Sequence, residues 1–413
     1  MKLPITIVGA GQMGSMLAYR LLKQGRKIRV IDSGTKEHKT HHQTPWGWYR
    51  KFSLQSKIKK DLMSNEFPIS HRDLGNSNIN INRTYGPMLI ASNKDKNIQD
   101  WSRWIKENSE SNSHILSPNE ANEIYNLSTD FFQDNGRDSG GVYVCDSRDF
   151  LMDFSYLNKY IWNYMENHPN CDLNDTCEIV SVKTDSSNVA THLNTNNGEI
   201  QIDKTFFCTG NQTTNILEQN IPVMQIKLPY AFLSSIPSQN FISLWTKNSS
   251  LQIFNNGNIK LGCGSQNIFD KTSFPFKTAH HFSLMGIKGW SNIYFDLNNN
   301  AERKIIQKAA DELSLLGIDR INVKDELLSC NVDVTPNLCP YIYFVPTATN
   351  ILSISGFSGS GSMAIDTNFT NLLIDSIDKN KIHSKLKDFN PNNSLFSNLF
   401  PPTNKKTPIS SII

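Results

Sequence analysis

The 413-residue sequence has no apolar run approaching the length of a membrane helix and no excess of one charge. Its 41 Lys and Arg against 38 Asp and Glu leave a net charge of +3, with both signs well mixed. That balance excludes a basic surface for nucleic acid or an anionic membrane. Its seven cysteines are odd in number and scattered, with no C-x-x-C pair. Reduced thiols in a cytoplasm are therefore expected, not a disulfide framework or a zinc site. His41 and His42 have no acid or cysteine at ligand spacing, so solvated histidines are expected rather than a metal site. The first strand starts almost at the first residue, so no cleavable segment is expected. Asn82-Arg83-Thr84 then reads as a chance match to a glycosylation triplet. There is no internal repeat.

What is present is an ordinary globular composition, 38% hydrophobic and 19% charged, long enough for two or three domains. The most informative stretch runs from Ile5 to Asp32. An apolar run (Ile5, Thr6, Ile7, Val8) leads into Gly9, Gly11 and Gly14 at the spacing G-x-G-x-x-G. An amphipathic helix follows, then a second strand, Ile28 to Ile31, ending at Asp32. Gly9 permits the tight turn, Gly11 lets backbone approach a pyrophosphate, and Gly14 lets helix and strand pack closely. The helix N-terminus offers N–H groups to phosphates, and an acid in the place of Asp32 bonds a ribose hydroxyl. The alternative is a plain glycine turn in a parallel sheet.

The polar loop after Asp32 carries Trp46, Trp48 and Tyr49, which would form either an aromatic wall or a cover on the core edge. Lys94 to Asn108 has helical tryptophan spacing, and Ser117-Pro118 opens a capped helix. Gly140-Gly141 leads into a strand and then a helix with apolar positions from Leu151 to Tyr164. Strands follow from Cys177, with hairpin turns at Asn197-Gly198 and Asn256-Gly257. Phe206-Phe207-Cys208 ends in a second glycine turn at Thr209-Gly210. Residues 301–317 read as a helix ending at Gly317. A third strand, glycine turn and helix begins at Ile351 and includes Gly356, Gly359 and Gly361. The Asn-, Ser- and Pro-rich tail after Asn390 is expected to lie on the surface or be loose.

The order of these parts resembles the flavin-dependent amine and amino-acid oxidoreductases that include D-amino-acid oxidase, glycine oxidase and monomeric sarcosine oxidase. The landmarks are the first glycine turn with Asp32, Gly140-Gly141-Val-Tyr, Glu178-Ile-Val-Ser-Val, Phe207-Cys-Thr-Gly210, Asp333-Val-Thr-Pro336 and Gly356-Phe-Ser-Gly359-Ser-Gly361. The resemblance implies an α/β fold: a Rossmann-like, glutathione-reductase-like FAD-binding domain and a second, mixed-sheet α+β substrate domain. It assigns 1–80, 140–220 and 325–390 to the FAD domain, 81–139 and 221–324 to the substrate domain, and 391–413 to the tail. FAD contacts are implied for Gly9, Ala10, Gly11, Gln12, Met13, Gly14, Asp32, Ser33, Val180, Thr209, Gly210, Gly356, Gly359, Ser360, Gly361, Ser362 and Met363.

The resemblance also places Cys330 where some members bond a cysteine to the flavin, the alternative being a small cysteine on a strand. Lys260 falls where the family's lysine activates oxygen, or is a solvated lysine after a hairpin. Arg50 lies near an arginine of the flavin-facing loop and would hold a substrate carboxylate, or is a surface arginine. Gly264, Ser360 and Met363 stand where the sarcosine enzyme has a histidine, a histidine and a lysine, so sarcosine is not the expected substrate. The implied reaction is oxidation of a C–N bond of an amine or amino acid, with a hydride passing to flavin N5 and O2 as the acceptor. Two alternatives stay open: a dehydrogenase using a quinone or protein acceptor, and a degenerate flavoprotein acting as a partner subunit. A flavin monooxygenase would have Gly-Asp where Gly356-Phe357 stands, and a NAD enzyme leaves the later glycine turns without a use.

Overall fold

A computed structural model describes residues 3–34, 47–54, 61–63, 83–134, 136–210, 212–217, 223–263, 294–295, 299–318, 323–335, 340–357 and 361–391. A six-stranded sheet has the order Cys171–Asn174, Ile28–Ile31, Ile5–Val8, Thr205–Phe207, Ala348–Ser355, Tyr341–Val345. The first five strands are parallel and the sixth is antiparallel to its neighbour. A parallel sheet is covered on both faces, and these strands are apolar in both directions. On one face Ile7, Val30, Phe206 and Leu352 pack under three helices, Gln12–Lys23, Phe154–Glu166 and Thr367–Lys379. On the other, Val8, Ile31, Phe207 and Ile351 meet Ile179, Ala190 and Leu193 of an antiparallel three-stranded sheet. That small sheet turns at Asn197-Gly198, as its sequence predicts.

The second layer is a nine-stranded sheet. Its order is Tyr294–Phe295, Met224–Leu233, Ile259–Cys263, Ser249–Ile253, Ser243–Trp245, Met88–Ser92, Gly141–Val144, His114–Leu116, and Val323–Val334 also pairs with Met224–Leu233. Strict alternation gives it two distinct faces. Leu89, Val142, Val144, Ala231, Leu233, Leu244, Leu251 and Leu261 pack against Ile306, Ala309 and Leu313 of the helix Asn299–Leu315. The intervening residues, Met88, Ile90, Tyr143, Trp245, Lys260 and Phe232, point to the opposite face.

The helical stop and start signals are where they were expected. Gly317 turns the chain at φ +82° two residues past Leu315. Ser117 closes a reciprocal capping box with Glu120 and Pro118 occupies the first turn. Two sheet strands come from segments that the sequence reading gave to the FAD domain: Gly141–Val144 and Val323–Val334 both pair in the nine-stranded sheet. No helix among the described residues is long and apolar enough to cross a membrane.

Candidate active site

All three glycine turns leave the carboxyl edge of the six-stranded sheet, from strands that are side by side. Gly9 takes φ +87° and its N–H donates to Ile31 O at 2.8 Å. A Cβ on Gly14 would come 1.8 Å from Gly9 O, so this glycine is what lets the helix sit on the strand. A Cβ on Gly11 would meet nothing within 4 Å. The space in front of Gly11 lies at the N-terminus of the helix Gln12–Lys23, which has no side-chain cap and no acid in its first turn. Such an end attracts an anion. Asp32 is buried, and its two carboxylate oxygens accept from Ala10 N–H at 2.7 Å and Gly34 N–H at 3.1 Å.

The second turn packs on the first. A Cβ on Gly9 would lie 2.8 Å from Cys208 O, and Cys208 N–H donates to Val8 O. Gly210 (φ +61°) leaves room for the Asp333 carboxylate, which a Cβ would meet at 2.2 Å. Gly356 (φ +72°) does the same for the Thr335 methyl at 2.3 Å. Asp333 and Thr335 close the long strand Val323–Val334 of the second layer, so these two contacts bring that strand's end to the glycine turns.

A two-residue strand, Trp48–Tyr49, bridges the layers. Tyr49 stacks on Phe150 and its hydroxyl donates to Asp366 Oδ2 at 2.9 Å, on the helix after the third glycine turn. Burial, and then the Asp366 carboxylate, push the Tyr49 phenol above its ordinary value. Trp48 turns the other way: its indole N–H donates to Ser243 at 2.9 Å, and its ring packs on Trp245. Gly47 N–H donates to Gln252 Oε1 at 3.3 Å. The same sheet face holds two buried polar groups with no hydrogen-bond partner among the described residues, Ser250 Oγ and Gln252 Nε2. Buried polar groups in this state call for a partner, an ordered water or a bound molecule.

The two proposed catalytic cations have different neighbours. Lys260 is 3 % exposed and pairs with Asp153. Arg50 lies 5.6 Å over the Trp48 ring, and its charge bears on Tyr143, Cys145 and Asp149. Tyr143 stands four strands from Lys260 in the sheet order, about 19 Å at the usual strand spacing. Around Arg50 the environment is dry. Burial and Asp149 push the Cys145 thiol up to about 12. Burial holds the Asp149 carboxyl above its ordinary value, against N–H bonds from Phe52 and Lys51.

Of the remaining cofactor residues, Ala10 and Met13 are buried, Ser33 is exposed, and Thr209 Oγ1 bonds Thr213 Oγ1. Val180 is 66 % exposed on the strand just past Cys177, whose N–H donates to Asp32 O. The Met363 side chain is wholly buried in the apolar core beneath the first helix, away from solvent. Gly361 and Ser362 open the short helix Gly361–Ala364. Cys330 pairs with Leu228 on the strand Val323–Val334. Trp48 and Tyr49 are buried and bridge the layers. His41, His42, Trp46, Gly264, Gly359, Ser360 and the tail from 392 lie outside the described residues. Sequence reasoning missed Asp153, Asp366, Ser250 and Gln252. Asp366 was legible as the N-cap of an apolar helix; the others carry no local signal.

Residues 4–366 match the family described as "FAD dependent oxidoreductase". The chain belongs to that family. Among individually curated proteins none matches it in sequence. Solved structures do share its fold over nearly the whole length. The chain is similar to L-proline dehydrogenase from P. horikoshii (TM-score 0.69, 15% identity, 96% of this chain and 98% of that one). It is also similar to L-amino acid deaminase from Proteus vulgaris (TM-score 0.71, 12% identity, 95% and 97%). Glycine oxidase from Bacillus cereus ATCC 14579 gives a TM-score of 0.69 at 12% identity, covering 94% and 98%.

The residues fit the cofactor of this family. An uncapped helix end behind an open glycine, with a buried acid one strand away, is what a dinucleotide's diphosphate and ribose require. Among the described residues no group of three or more His, Cys, Asp and Glu is placed to hold a metal.

Proposed function

We propose that this FAD-dependent oxidoreductase oxidises a C–N bond of a small amine or amino acid. The observation that carries the reading is the convergence of the three glycine turns beside a sheet face with unsatisfied buried polar groups. Proteins of the same fold that are named for amino-acid substrates support it. Bound FAD supplies a two-electron acceptor for the hydride leaving the carbon next to nitrogen. The oxidised product is an imine, which water hydrolyses.

The chain's own part is to bind, orient and dry the site. Gly9 to Gly14 with Asp32 hold the dinucleotide, joined by Ser33, Val180 and Thr209-Gly210. Gly356, Gly361 and Ser362 belong to the turn that would face the ring, where fixed N–H donors stabilise developing negative charge. Arg50 holds the substrate carboxylate through its planar fork. The aromatic ring pair Trp48 and Trp245 excludes water and positions the C–H bond, which supplies rate without a strong base. Oxygen is the acceptor that a cationic Lys260 serves. The pairing of Lys260 with Asp153 favours a second reading, a dehydrogenase that hands electrons to a quinone or a protein.

The test is anaerobic: the yellow holoprotein is mixed with a panel of primary and secondary amines and L- and D-amino acids. Loss of the visible flavin band with one class, and an unchanged band with alcohols and hydroxy acids, is the expected result. Bleaching by hydroxy acids alone contradicts it. Arg50→Lys is expected to raise KM for a carboxylate-bearing substrate by about tenfold or more while kcat changes less.

A further inference from the structure

The second and third glycine turns are held from outside their own sheet. Gly210 stands against the Asp333 carboxylate and Gly356 against the Thr335 methyl; a Cβ would meet them at 2.2 and 2.3 Å. A carboxylate and a methyl have little in common chemically, so what both contacts share is shape. Asp333 and Thr335 lie two residues apart at the end of the strand Val323–Val334, which pairs with Met224–Leu233 up to Val334 opposite Met224. The partner strand is anchored at the same place. Val223, just before Met224, is buried among Val8, Ile31 and Phe207 of the six-stranded sheet. Its Cγ2 lies 3.8 Å from where a Gly356 Cβ would be. The two strands therefore form a ribbon of the second layer whose end is seated against two turns of the first.

The second turn passes the contact on to the first. A Cβ on Gly9 would lie 2.8 Å from Cys208 O and 3.1 Å from Thr209 Cγ2, so the turn that carries Gly210 bears on the turn that leads to Gly11. Asp333, Gly210, Thr209 and Gly9 thus make one line of close contacts from the ribbon to the uncapped helix end. Contacts packed to this density transmit a displacement rather than absorb it. Two sites joined in this way are coupled in both directions: filling one steadies the other.

We infer that this seat is a conformational link: occupancy of the dinucleotide site at Gly11 orders the ribbon of the second layer, with Asp333 and Thr335 as the positioning residues that carry the coupling. The inference rests on the reading of the first turn as a dinucleotide seat. ADP is the probe, because it fills the diphosphate end of that seat and has no flavin ring to touch the second layer directly. Backbone hydrogen exchange of the full-length apoprotein is followed with and without saturating ADP. Amides of Met224–Leu233 and Val323–Val334 slow by about fivefold or more, and those of Met88–Ser92 and His114–Leu116, toward the other end of the same sheet, by less than about twofold. In Asp333→Ala and in Thr335→Ser, which empty the two contacts, that difference between ribbon and far strands disappears. Asp333→Asn keeps the shape and keeps the difference. Thr335→Ser removes one methyl and carries the test alone should Asp333→Ala not fold. Equal slowing throughout the sheet, which ligand binding gives by mass action alone, overturns the link. So does a ribbon effect that survives both Asp333→Ala and Thr335→Ser. ADP that binds without slowing the ribbon overturns the link alone, whereas apoprotein that binds no ADP overturns the dinucleotide seat with it.

Discussion

Gly11 and Gly14 stand three residues apart in one motif and do different things. Gly14 is a packing glycine: any Cβ collides with Gly9 O, and the backbone cannot yield without lifting the helix. Gly11 is a binding glycine, with open space before it. Gly14→Ala is therefore expected to destabilise the apoprotein by about 3 kcal/mol or more, as overpacking against backbone does. Gly11→Ala costs the apoprotein no more than about 1 kcal/mol as a changed N-cap, yet weakens FAD binding by tenfold or more. Urea unfolding of apoprotein and flavin titration separate the two, and equal effects in both assays contradict the assignment. The motif was legible at this scale because its spacing encodes a turn. The bonds that Asp32 makes to Ala10 and Gly34 N–H were not, since spacing predicts a ribose contact but not a second duty. Two neighbouring acids show the same limit. Burial raises the Asp146 carboxyl, but bonds from Arg148 and from Asn112 N–H outweigh it and hold it below its ordinary value. Asp149 is raised by burial. By linkage Asp146 contributes stability above the ordinary carboxylate range that is lost as pH falls through it, while the contribution of Asp149 is lost as pH rises through and above that range. Asp146→Asn is thus expected to flatten the acid limb of the stability–pH curve and Asp149→Asn the neutral limb, read from urea midpoints between pH 3 and about pH 8.

The bridge from Gly47 to Tyr49 is the element on which the site's geometry depends most. One residue bonds each layer: Trp48 to Ser243 and Tyr49 to Asp366. Tyr49→Phe removes the buried hydrogen bond to Asp366 and leaves an acid that still caps its helix through Phe369 N–H. It is expected to cost about 1–3 kcal/mol in urea unfolding; an unchanged midpoint contradicts the bridging role. The sequence could not show this strand, because two residues are too few for a period-2 pattern. Longer elements were readable where chemistry marks their ends, as at Ser117-Pro118 and Gly317. The strands Gly141–Val144 and Val323–Val334 were readable as strands but not by partner. A strand's own residues carry no label for the sheet it joins.

For the whole molecule, the order of three glycine turns along the chain conveyed the fold, because each must end a strand and two must open a helix. What spacing could not convey is where distant side chains meet. Arg50 lies over the Trp48 ring, and Lys260 pairs with Asp153 at the end of a different strand, neither of which spacing shows. The account as a whole depends on one dinucleotide lying along the carboxyl edge of the six-stranded sheet. The measurement that tests this most directly is a titration of apoprotein with FAD, followed by visible absorbance and by quenching of flavin fluorescence. The account predicts saturation at one FAD per chain with a structured flavin spectrum, and weakened binding in Gly11→Ala whose apoprotein remains folded. Apoprotein that leaves the spectrum and fluorescence of added FAD unchanged contradicts it.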